Sequence, residues 1–597
     1  MADWTPDTAT IERANLTSFM EEVGVEDYLA LHRWSLQHRG EFWDRVIRRL
    51  GIEFEVPYSN ILGGGAEDAS WCVGGRINIV ASCFQQDPEK VAVIYRRHDA
   101  DHEVTFGELQ AMANQVANGF TTRGLAPGEP VAIAMPMNLE AVAAYLGIIL
   151  AGGVVVSIAD SFAADEIATR LRITDTKIVV TQDRFRRGGK QLEMFSKVVE
   201  AGAEQAIVVG TEVELRPNDV AWEDFLGGED YFVPVTATPA THTNILFSSG
   251  TTGDPKAIPW SHLTPIKVAM DGHFHQDIHP DDFVAWPTNL GWMMGPWLIY
   301  ASLINGAALA LFDDAPVTAE FARFVADAGV TVLGVVPSLV AAWRANGALD
   351  GVDWSAIRLF SSTGEASNSD DMAWLMAAAG GKPVIEYCGG TEIGGGYISG
   401  TVLQPAIAGT FSTPTLGLDV HIFDDAGQEV ASGELFLEGP SIGLSTEMLN
   451  RDHHEVYFAG TPNGLRRHGD HMEKLAGGYF RALGRIDDTM NLGGIKISSA
   501  EIERVVGSVS GVAEAAAIAV SPPEGGPSQL VIFAVAEPGV ELAVEQVKAE
   551  MGTAIAQHLN PLFKLHEVVV VDELPRTASA KVMRRELRAQ YRDLITG

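Results

Sequence analysis

Short apolar runs alternate with amphipathic stretches over residues 88–235. The runs read VAVIY, VAIAMP, GVVVSIA, KIVVT and AIVVG. Runs of this length, separated by helical stretches, are typical of parallel strands that are joined by crossover helices. The pattern therefore predicts a doubly wound, mostly parallel α/β sheet, and such sheets bind ligands at the carboxyl ends of their strands.

The length and the charge of the chain limit the classes of protein to which it can belong. At 597 residues it is longer than one hydrophobic core usually supports, so we expect about two to four domain-sized units. A formal net charge of −36 argues against general affinity for nucleic acid or for anionic membranes. Binding of anionic ligands would then require local positive potential from loops, helix N-termini and a few Arg and Lys residues.

Cysteine usage and the two termini predict a cellular compartment. The three cysteines, Cys72, Cys83 and Cys388, form no CxxC pair, which fits a reducing environment. The first residues, MADWTPDTATIERANL, lack the basic and then apolar layout of a signal peptide. The last four, Leu-Ile-Thr-Gly, are not a peroxisomal tripeptide. The sequence therefore predicts a cytoplasmic protein.

A loop rich in glycine and hydroxyl groups follows the apolar run at residues 245–247. It reads SSGTTGDPK over residues 248–256. Unpaired backbone N–H groups and the hydroxyls of Ser249, Thr251 and Thr252 could hold phosphate oxygens, and Lys256 adds a cation. The Walker A pattern is not met after Gly250. From this loop alone, an ordinary glycine-rich connection remains the alternative.

Two further stretches carry residues that could bind a substrate. The sequence TQDRFRRGGK brings four cations together, and a solvated charged face explains it as well as an anion site does. The sequence WPTNLGWMMGPWLIY is rich in Trp and Met. These residues are more often found in a core, but beside glycines they also suit an apolar slot.

The order of the motifs along the chain identifies a family. SSGTTGDPK, SSTGEASN, EYCGGTE, RRHGD followed by GRIDD, and PRTASAK occur in that order. Together they resemble the adenylate-forming superfamily of acyl-CoA synthetases, luciferases and adenylation domains of peptide synthetases. The helical pattern over residues 11–54, followed by WCVGGRINIVASCF, is similar to the N-terminal segment of acetyl-CoA-synthetase-like enzymes. Stretches such as ADSFAADEIATRLRI and TMNLGGIKISSAEIERV resemble in particular the plant peroxisomal acyl-activating enzymes of that clade.

This resemblance implies a three-part architecture. Residues 1–85 would form the N-terminal cap, and residues 86–486 the AMP-binding adenylation domain, with doubly wound sheets and a small β-barrel-like subdomain. Residues 488–597 would form a small, mobile α+β domain that rotates about Asp487 and carries the catalytic lysine.

The resemblance also implies a set of nucleotide-binding residues. The phosphate loop and the later motifs contribute Ser249, Thr251, Thr252, Gly253, Lys256, Gly364, Glu365, Ala366, Glu386, Tyr387, Cys388, Gly389, Gly390, Thr391, Asp470, Arg485 and Lys496. Asp470 would accept hydrogen bonds from both ribose hydroxyls. Lys496 stands where acetyl-CoA synthetases have a phosphate-binding arginine, so the charge is kept but the bidentate fork is lost.

Three of the implied residues would carry the chemistry. Glu392 would hold Mg²⁺, Thr251 would contact the phosphates, and Lys581 would reach the carboxylate and the α-phosphate during adenylation. The family usually has a glycine before this lysine, whereas Ala580 stands here.

Coenzyme A and the acyl group would occupy neighbouring sites. Arg187 and Lys190 match basic residues for the CoA 3′-phosphate, Asn305 matches a CoA-contacting asparagine, and Gly493 and Gly494 would approach pantetheine closely. The acyl pocket would be lined by Trp292, Met293, Met294 and Gly389. In acetate-specific relatives a tryptophan occupies the position of Gly389, so the glycine predicts room for a longer acid.

The sequence therefore predicts an ATP-dependent, AMP-forming acyl-CoA synthetase. It would activate a short-to-medium or branched carboxylic acid with ATP and Mg²⁺ and transfer the acyl group to coenzyme A. Two alternatives remain at this point: an adenylate-forming enzyme with a non-CoA acceptor, and a nucleotide-binding regulator without catalysis.

Overall fold

A computed structural model describes residues 2–97, 100–210, 212–248, 254–424, 426–485, 489–522, 528–537, 539–540, 542–576 and 582–596. Within these ranges the helices are α1 Thr8–Arg13, α2 Asn15–Val23, α3 Tyr28–Gln37, α4 Arg39–Arg49, α5 Phe106–Thr122, α6 Leu139–Leu150, α7 Ala164–Ile173, α8 Phe195–Glu200, α9 Trp222–Phe225, α10 Thr264–Phe274, α11 Met294–Leu303, α12 Ala319–Asp327, α13 Pro337–Asn346, α14 Ser369–Ala378, α15 His453–Tyr457, α16 Ser499–Val506, α17 Val544–His558 and α18 Arg584–Thr596.

The strands of the same ranges are β1 Asn60–Gly63, β2 Ser70–Val73, β3 Val91–Arg97, β4 Ala100–Thr105, β5 Pro130–Ala134, β6 Val154–Ile158, β7 Ile178–Gln182, β8 Arg184–Arg187, β9 Lys190–Glu193, β10 Gln205–Val209, β11 Val220–Ala221, β12 His242–Ser248, β13 Lys256–Ser261, β14 Phe283–Ala285, β15 Ala308–Leu311, β16 Val332–Val335, β17 Leu359–Ser362, β18 Val384–Glu386, β19 Cys388–Gly390, β20 Gly395–Ser399, β21 Thr413–Pro414, β22 Asp419–Phe423, β23 Ser432–Glu438, β24 Arg466–Lys474, β25 Phe480–Arg485, β26 Thr489–Leu492, β27 Ile495–Ser498, β28 Val512–Val520, β29 Gln529–Ala536 and β30 Leu565–Val570.

Two large sheets form the body of the molecule. The first has the order β11-β10-β7-β5-β6-β12-β13, and the second β18-β17-β16-β14-β15-β3-β4. All neighbours are parallel except β12 with β13 and β3 with β4, each of which is an antiparallel pair at one edge. The predicted α/β class is thus confirmed. One detail differs, because β3, the first apolar run of the sequence, lies in the second sheet and not beside β5.

Strands such as β6 and helix α6 are apolar along almost their whole length because they are buried on both faces. Every residue of β6 is buried, and all of α6 except Glu140 is buried between its neighbours. The N-terminus of α6 is fixed by Asn138, whose side chain accepts a hydrogen bond from the amide of Ala141 at 2.9 Å.

Two smaller antiparallel sheets follow the body of the molecule. Their orders are β19-β20-β21 and β22-β23-β24-β25. They enclose one shared core, formed by Ile393, Tyr397, Ile398, Phe411, Leu418, Ile422, Leu435, Leu437, Met472 and Phe480. This is the part of the chain for which a barrel-like subdomain is predicted.

The C-terminal domain, from β26 to α18, has the predicted α+β composition. Its sheet has the order β28-β29-β30, with α16 and α17 packed around a core that includes Ile502, Ile532, Met551 and Ile555. A capping box starts α16, because the Ser498 hydroxyl accepts from the Glu501 amide and the Glu501 carboxylate accepts from the Ser498 amide.

The N-terminal helices are part of the main core. Phe19 of α2 packs against Phe274 of α10, with ring centroids 4.8 Å apart, and the Tyr28 hydroxyl donates to the carbonyl of Pro414 at 2.8 Å. Among the described helices, none combines the length and the apolar character that crossing a membrane requires.

Candidate active site

The phosphate loop connects the antiparallel strands β12 and β13. Ser248 pairs with Lys256 at the end of this hairpin. The predicted contacts Ser249, Thr251, Thr252 and Gly253 lie outside the described residues. The Lys256 ammonium lies 5.8 Å from the ring centroid of Tyr457. On β13, the Trp260 indole N–H donates to the Thr391 carbonyl at 2.8 Å, so the strand that follows the phosphate loop is bonded to the turn that carries Glu392.

A buried arginine supports the short turn Thr391–Ile393. The Arg466 guanidinium donates to the Ser445 carbonyl at 2.6 Å and to the Glu392 carbonyl at 3.3 Å. It also lies 4.2 Å from the ring centroid of Tyr457. Burial lowers the pKa of Arg466 from its usual value. The backbone on which Glu392 stands is therefore held by a residue that sequence reasoning did not single out.

A buried histidine lies close to two of the predicted carboxylates. His468 lies between them, with Nδ1 3.3 Å from a Glu392 carboxylate oxygen and Nε2 3.2 Å from an Asp470 carboxylate oxygen. The Tyr397 hydroxyl donates to the same oxygen of Asp470 at 2.6 Å. The sequence placed His468 inside RRHGD, but only the fold brings Glu392 to its other side.

The predicted adenine and ribose turn meets the glycine loop of the C-terminal domain. One Glu365 carboxylate oxygen accepts from the Ser338 amide and the other from the Gly494 amide, each at 2.9 Å. Burial raises the pKa of Glu365 from its usual value. Gly364 has φ of +98° and lies close to Gly494, whereas Ala366 is exposed. A left-handed backbone at this turn explains the glycine.

Two residues predicted to contact the nucleotide face inwards. The Tyr387 hydroxyl donates to Asp271 at 2.6 Å and accepts from the Trp297 indole at 3.1 Å, and only 1% of the tyrosine is exposed. The prediction is corrected here, because the side chain is committed to the core. Glu386 is also buried and accepts from the Ser367 hydroxyl at 2.8 Å, which ties it to the nucleotide turn. Burial raises the pKa of Glu386 to about 7.

The surroundings of Gly389 do not support the argument that its missing side chain opens the acyl pocket. A Cβ atom there would lie 1.9 Å from the Gly395 carbonyl oxygen, because β19 and β20 are paired closely at this point. Behind β20, the buried ion pair of Lys267 and Asp271 bonds both the carbonyl and the amide of Gly396. The glycine is thus required by a close approach of two backbones.

The three predicted acyl-pocket side chains of the Trp-rich stretch separate in the structure. Met293 and Met294 pack against the core of the large domain. Trp292 instead lies between the two domains, with its ring centroid 5.3 Å from that of Phe162, and it packs against the core of the C-terminal domain. The three side chains are adjacent in the sequence and were therefore predicted to line one pocket. In the fold they point to different places.

The cationic cluster around β8 and β9 is largely paired with carboxylates. Arg184 lies 3.1 Å from Glu212, and Arg187 lies 2.7 Å from the buried Asp160. Lys190, at the start of β9, is exposed. Of the two residues predicted to bind the CoA phosphate, Arg187 is therefore oriented by a carboxylate and Lys190 faces solvent.

The prediction for Asn305 is corrected. Its amide nitrogen donates to the carbonyls of Ala269 and Ala301, at 3.0 and 2.9 Å, and its oxygen is 2.8 Å from a ring nitrogen of His273. The hydrogen-bonding capacity of this buried side chain is satisfied within the core, so it stabilises helix packing and does not face CoA.

The remaining predicted residues are only partly described. The strand partners Asp470 and Arg485 are adjacent in β24 and β25, and Lys496 pairs with Asn491 in the β26–β27 hairpin. The side chains of Arg485 and Lys496, the predicted hinge residue Asp487 and the predicted catalytic residue Lys581 lie outside what the structure describes. Gly493 and Gly494 both have positive φ, 62° and 79°.

Comparison with known families accounts for most of the chain. The family model described as AMP-binding enzyme matches residues 80–445. The AMP-binding enzyme C-terminal domain matches residues 501–581, and the acetyl-coenzyme A synthetase N-terminus matches residues 28–83.

Individual relatives extend over nearly the full length. The Arabidopsis thaliana protein named “Probable acyl-activating enzyme 18, peroxisomal” is 43% identical, covering 99% of this chain and 87% of its own. The hexanoyl-CoA synthase of Cannabis sativa is 43% identical, covering 98% and 88%. The acetoacetyl-CoA synthetase of Streptomyces lividans superposes with a TM-score of 0.78 at 26% identity, covering 98% of this chain and 94% of that one.

The fold and the site define an adenylate-forming enzyme with a large N-terminal domain and a small C-terminal domain. The chain belongs to the AMP-binding enzyme family. It is an acyl-CoA synthetase, an AMP-forming acid–CoA ligase that acts on a carboxylic acid, ATP and coenzyme A. A non-CoA acceptor and a non-catalytic regulator are not favoured.

The predicted cytoplasmic location is wrong by the same comparison. Relatives that are 43% and 44% identical to this chain carry the word peroxisomal in their names. Composition and cysteine usage fit any reducing compartment, so they did not distinguish the cytoplasm from an organelle.

Proposed function

We propose that this enzyme activates a short-to-medium or branched carboxylic acid as its acyl-adenylate and then transfers the acyl group to CoA. The observation that carries the proposal is the bond from the Gly494 amide to Glu365, because it brings the glycine loop of the C-terminal domain onto the nucleotide turn. The hexanoyl-CoA synthase relative supports the acyl length. The stretch 286–297 carries no basic residue that would favour a dicarboxylate.

We propose that three consecutive segments of the chain form three domains with different roles. Residues 1–85 are the N-terminal cap, residues 86–486 the adenylation domain, and residues 488–597 the mobile domain, with Asp487 as hinge. The direct contact between Glu365 and Gly494 supports a C-terminal domain that completes the site from the opposite side.

In the first step, a carboxylate oxygen of the substrate attacks the α-phosphorus of ATP and pyrophosphate leaves. Thr251, Thr252 and Lys581 stabilise the charge that moves onto the phosphate oxygens. Asp470 accepts from the ribose, and its carboxylate is oriented by the Tyr397 hydroxyl and lies 3.2 Å from His468.

The donor set around Thr391 and Glu392 fits a magnesium ion, because a carboxylate held on a rigid turn is a hard oxygen ligand. Such an ion, when bound, neutralises charge on the polyphosphate. Arg466 and Trp260 fix the backbone of that turn, and His468 limits the rotation of the Glu392 carboxylate.

In the second step, the C-terminal domain turns so that Gly494 lines the path of pantetheine. The CoA thiolate attacks the acyl carbon, the bond from that carbon to the phosphate oxygen breaks, and AMP leaves. Arg187 and Lys190 are proposed to bind the CoA phosphate, with Arg187 held by Asp160.

The test is the release of AMP with ATP, Mg²⁺ and CoA across acids from acetate to decanoate, including branched and aryl-substituted members. We expect CoA-dependent release with an optimum beyond acetate. Release with acetate alone would contradict the proposed acyl class, and release without CoA would contradict the second step.

A tryptophan at position 389 tests the origin of the acyl preference. Because backbone atoms of β20 occupy the space beside Gly389, we expect Gly389→Trp to displace the β19–β20 hairpin and lower turnover with every acid of the panel. Thermal unfolding should shift downwards together with the activity. A fully stable variant that had gained a preference for acetate would show that the side chain fits a pocket after all.

A further inference from the structure

The segment that leads into α7 is a contact surface for the C-terminal domain. The Ala163 amide donates to the Leu559 carbonyl at 3.1 Å, and the Asn560 side chain donates to the Ser161 hydroxyl at 3.1 Å. Next to them, His558 lies 3.1 Å from Asp165, although both of these side chains are largely exposed. Backbone and side-chain bonds thus join the end of α17 to the start of α7.

A buried ion pair lies beneath this contact. Arg170 donates to the Glu166 carboxylate at 2.7 Å, and the two side chains are only 6% and 7% exposed. The Arg170 guanidinium also lies 3.9 Å from the ring centroid of Phe162. The pair and its aromatic neighbour all belong to the large domain, so the pairing of Glu166 with Arg170 needs no residue of the C-terminal domain.

The C-terminal domain brings further charges to the same place. Arg504 of α16 lies 3.5 Å from Glu166. Glu501 lines a small cavity together with Glu166, Arg170 and Trp292. The pKa of Glu501 is raised to about 7, mainly by burial and in part by the nearby Glu166, although bonds from Ser498 and the charge of Arg170 act in the opposite direction. Glu166 is thus paired with Arg170 within the large domain, and Arg504 compensates its charge from across the interface.

We propose that Glu166, paired with Arg170 and Arg504, is a docking latch that holds the C-terminal domain in its thioester-forming orientation. This inference rests on the proposed function, in which that domain alternates between two orientations. In the docked state the Gly494 amide of the C-terminal domain is bonded to Glu365 of the nucleotide turn. Docking therefore coincides with the arrangement that the thiol step needs.

The contact is suited to being broken once in each turnover. Arg504 is 54% exposed, so its interaction with Glu166 is weakened by solvent. When the C-terminal domain leaves, Glu166 keeps Arg170 as its partner and no unpaired charge stays buried in the large domain. Glu166 and Arg504 act as positioning residues, because they act through the domain and not on the reacting atoms.

The test reverses one charge and then relieves the repulsion. Arg504→Glu places a carboxylate beside Glu166, and the double variant Arg504→Glu with Glu166→Gln removes the repulsion with an isosteric amide. Lys548→Glu makes the same charge change on α17, about 15 Å along the helix from His558. Two rates are measured for each protein: ATP–pyrophosphate exchange without CoA, and acyl-CoA formation from supplied acyl-adenylate.

We expect the ratio of the thioester rate to the exchange rate to fall about 5- to 10-fold in Arg504→Glu, and to recover in the double variant. The ratio follows the docking equilibrium whichever orientation predominates, because each half-reaction uses one of the two populations. Lys548→Glu should match the wild type. A loss that the double variant does not reverse would assign the effect to damage in α16 and overturn the latch.

Hydrogen exchange provides a readout that is independent of activity. The Ala163 amide is protected by a bond to the other domain, so its exchange should accelerate about 5- to 10-fold in Arg504→Glu and return in the double variant. An unchanged hydrogen-exchange rate of the Ala163 amide would overturn the latch. Faster hydrogen exchange with an unchanged ratio of thioester rate to ATP–pyrophosphate exchange rate would overturn its link to thioester formation. Failure of the proposed function would be seen separately, as a wild type that releases no AMP with CoA and any acid.

Discussion

Replacement of Lys581 by alanine is expected to slow adenylation by a factor of about 10² to 10³. One preorganised charged contact to a transition state contributes about 3 to 4 kcal/mol, and removing the ammonium leaves the developing charge on the phosphates less compensated. The measurement is the rate of ATP–pyrophosphate exchange with a saturating acid. Position 581 belongs to the C-terminal domain, which by our proposal turns away before the thiol attacks.

The second half-reaction is the matched control for this lysine. Acyl-CoA formation from supplied acyl-adenylate should survive in Lys581→Ala, since Lys581 has been withdrawn by that stage. A similar loss in both half-reactions would contradict the assigned role, because it would indicate a general defect of the C-terminal domain.

Glu392→Gln is expected to lower adenylation by a factor on the order of 10² to 10³ and to raise the Mg²⁺ concentration needed for half-maximal rate. The amide keeps the shape of the side chain but loses the negative charge that favours a divalent cation. The backbone bonds from Arg466 and Trp260 to this turn do not involve the Glu392 carboxylate, so the fold should persist. Exchange rates measured over a series of Mg²⁺ concentrations check the result.

Asp470→Asn separates metal binding from nucleotide binding. Both carboxylates contact His468, so the two variants disturb the same neighbour. Asp470→Asn should raise the KM for ATP while the Mg²⁺ dependence stays that of the wild type. If both variants shifted the Mg²⁺ dependence equally, Glu392 would have no special role as a ligand.

Local sequence was sufficient to predict the fold class and the glycines that are needed for their backbone conformation. Buried parallel strands such as β6 have to be apolar along their whole length, and this pattern is visible without a structure. Gly364 and Gly494 are similar cases, because a left-handed backbone nearly always requires glycine. The motif order also placed Glu392 and Asp470 in one site, where a single histidine now contacts both.

Side-chain direction was beyond what local sequence could predict. Tyr387 and Asn305 carry polar groups that suit a ligand, but each finds its hydrogen-bond partners in elements distant along the chain. The contacts of Trp292 were likewise not predictable from local sequence, since its neighbours across the domain interface belong to the core of the C-terminal domain. A polar or aromatic residue in a motif predicts a need for a partner, and the fold decides whether that partner is protein or substrate.

The sequence by itself determined the family, the α/β class and the class of reaction, because these depend on residue type and on the order of the motifs along the chain. Tertiary structure alone decided that backbone fills the space beside Gly389, that His468 lies between two carboxylates, and that Glu166 meets Arg504 across the domains. The physical reason is that such contacts form between residues far apart in sequence, where pairing depends on packing and charge compensation in three dimensions and leaves no local pattern.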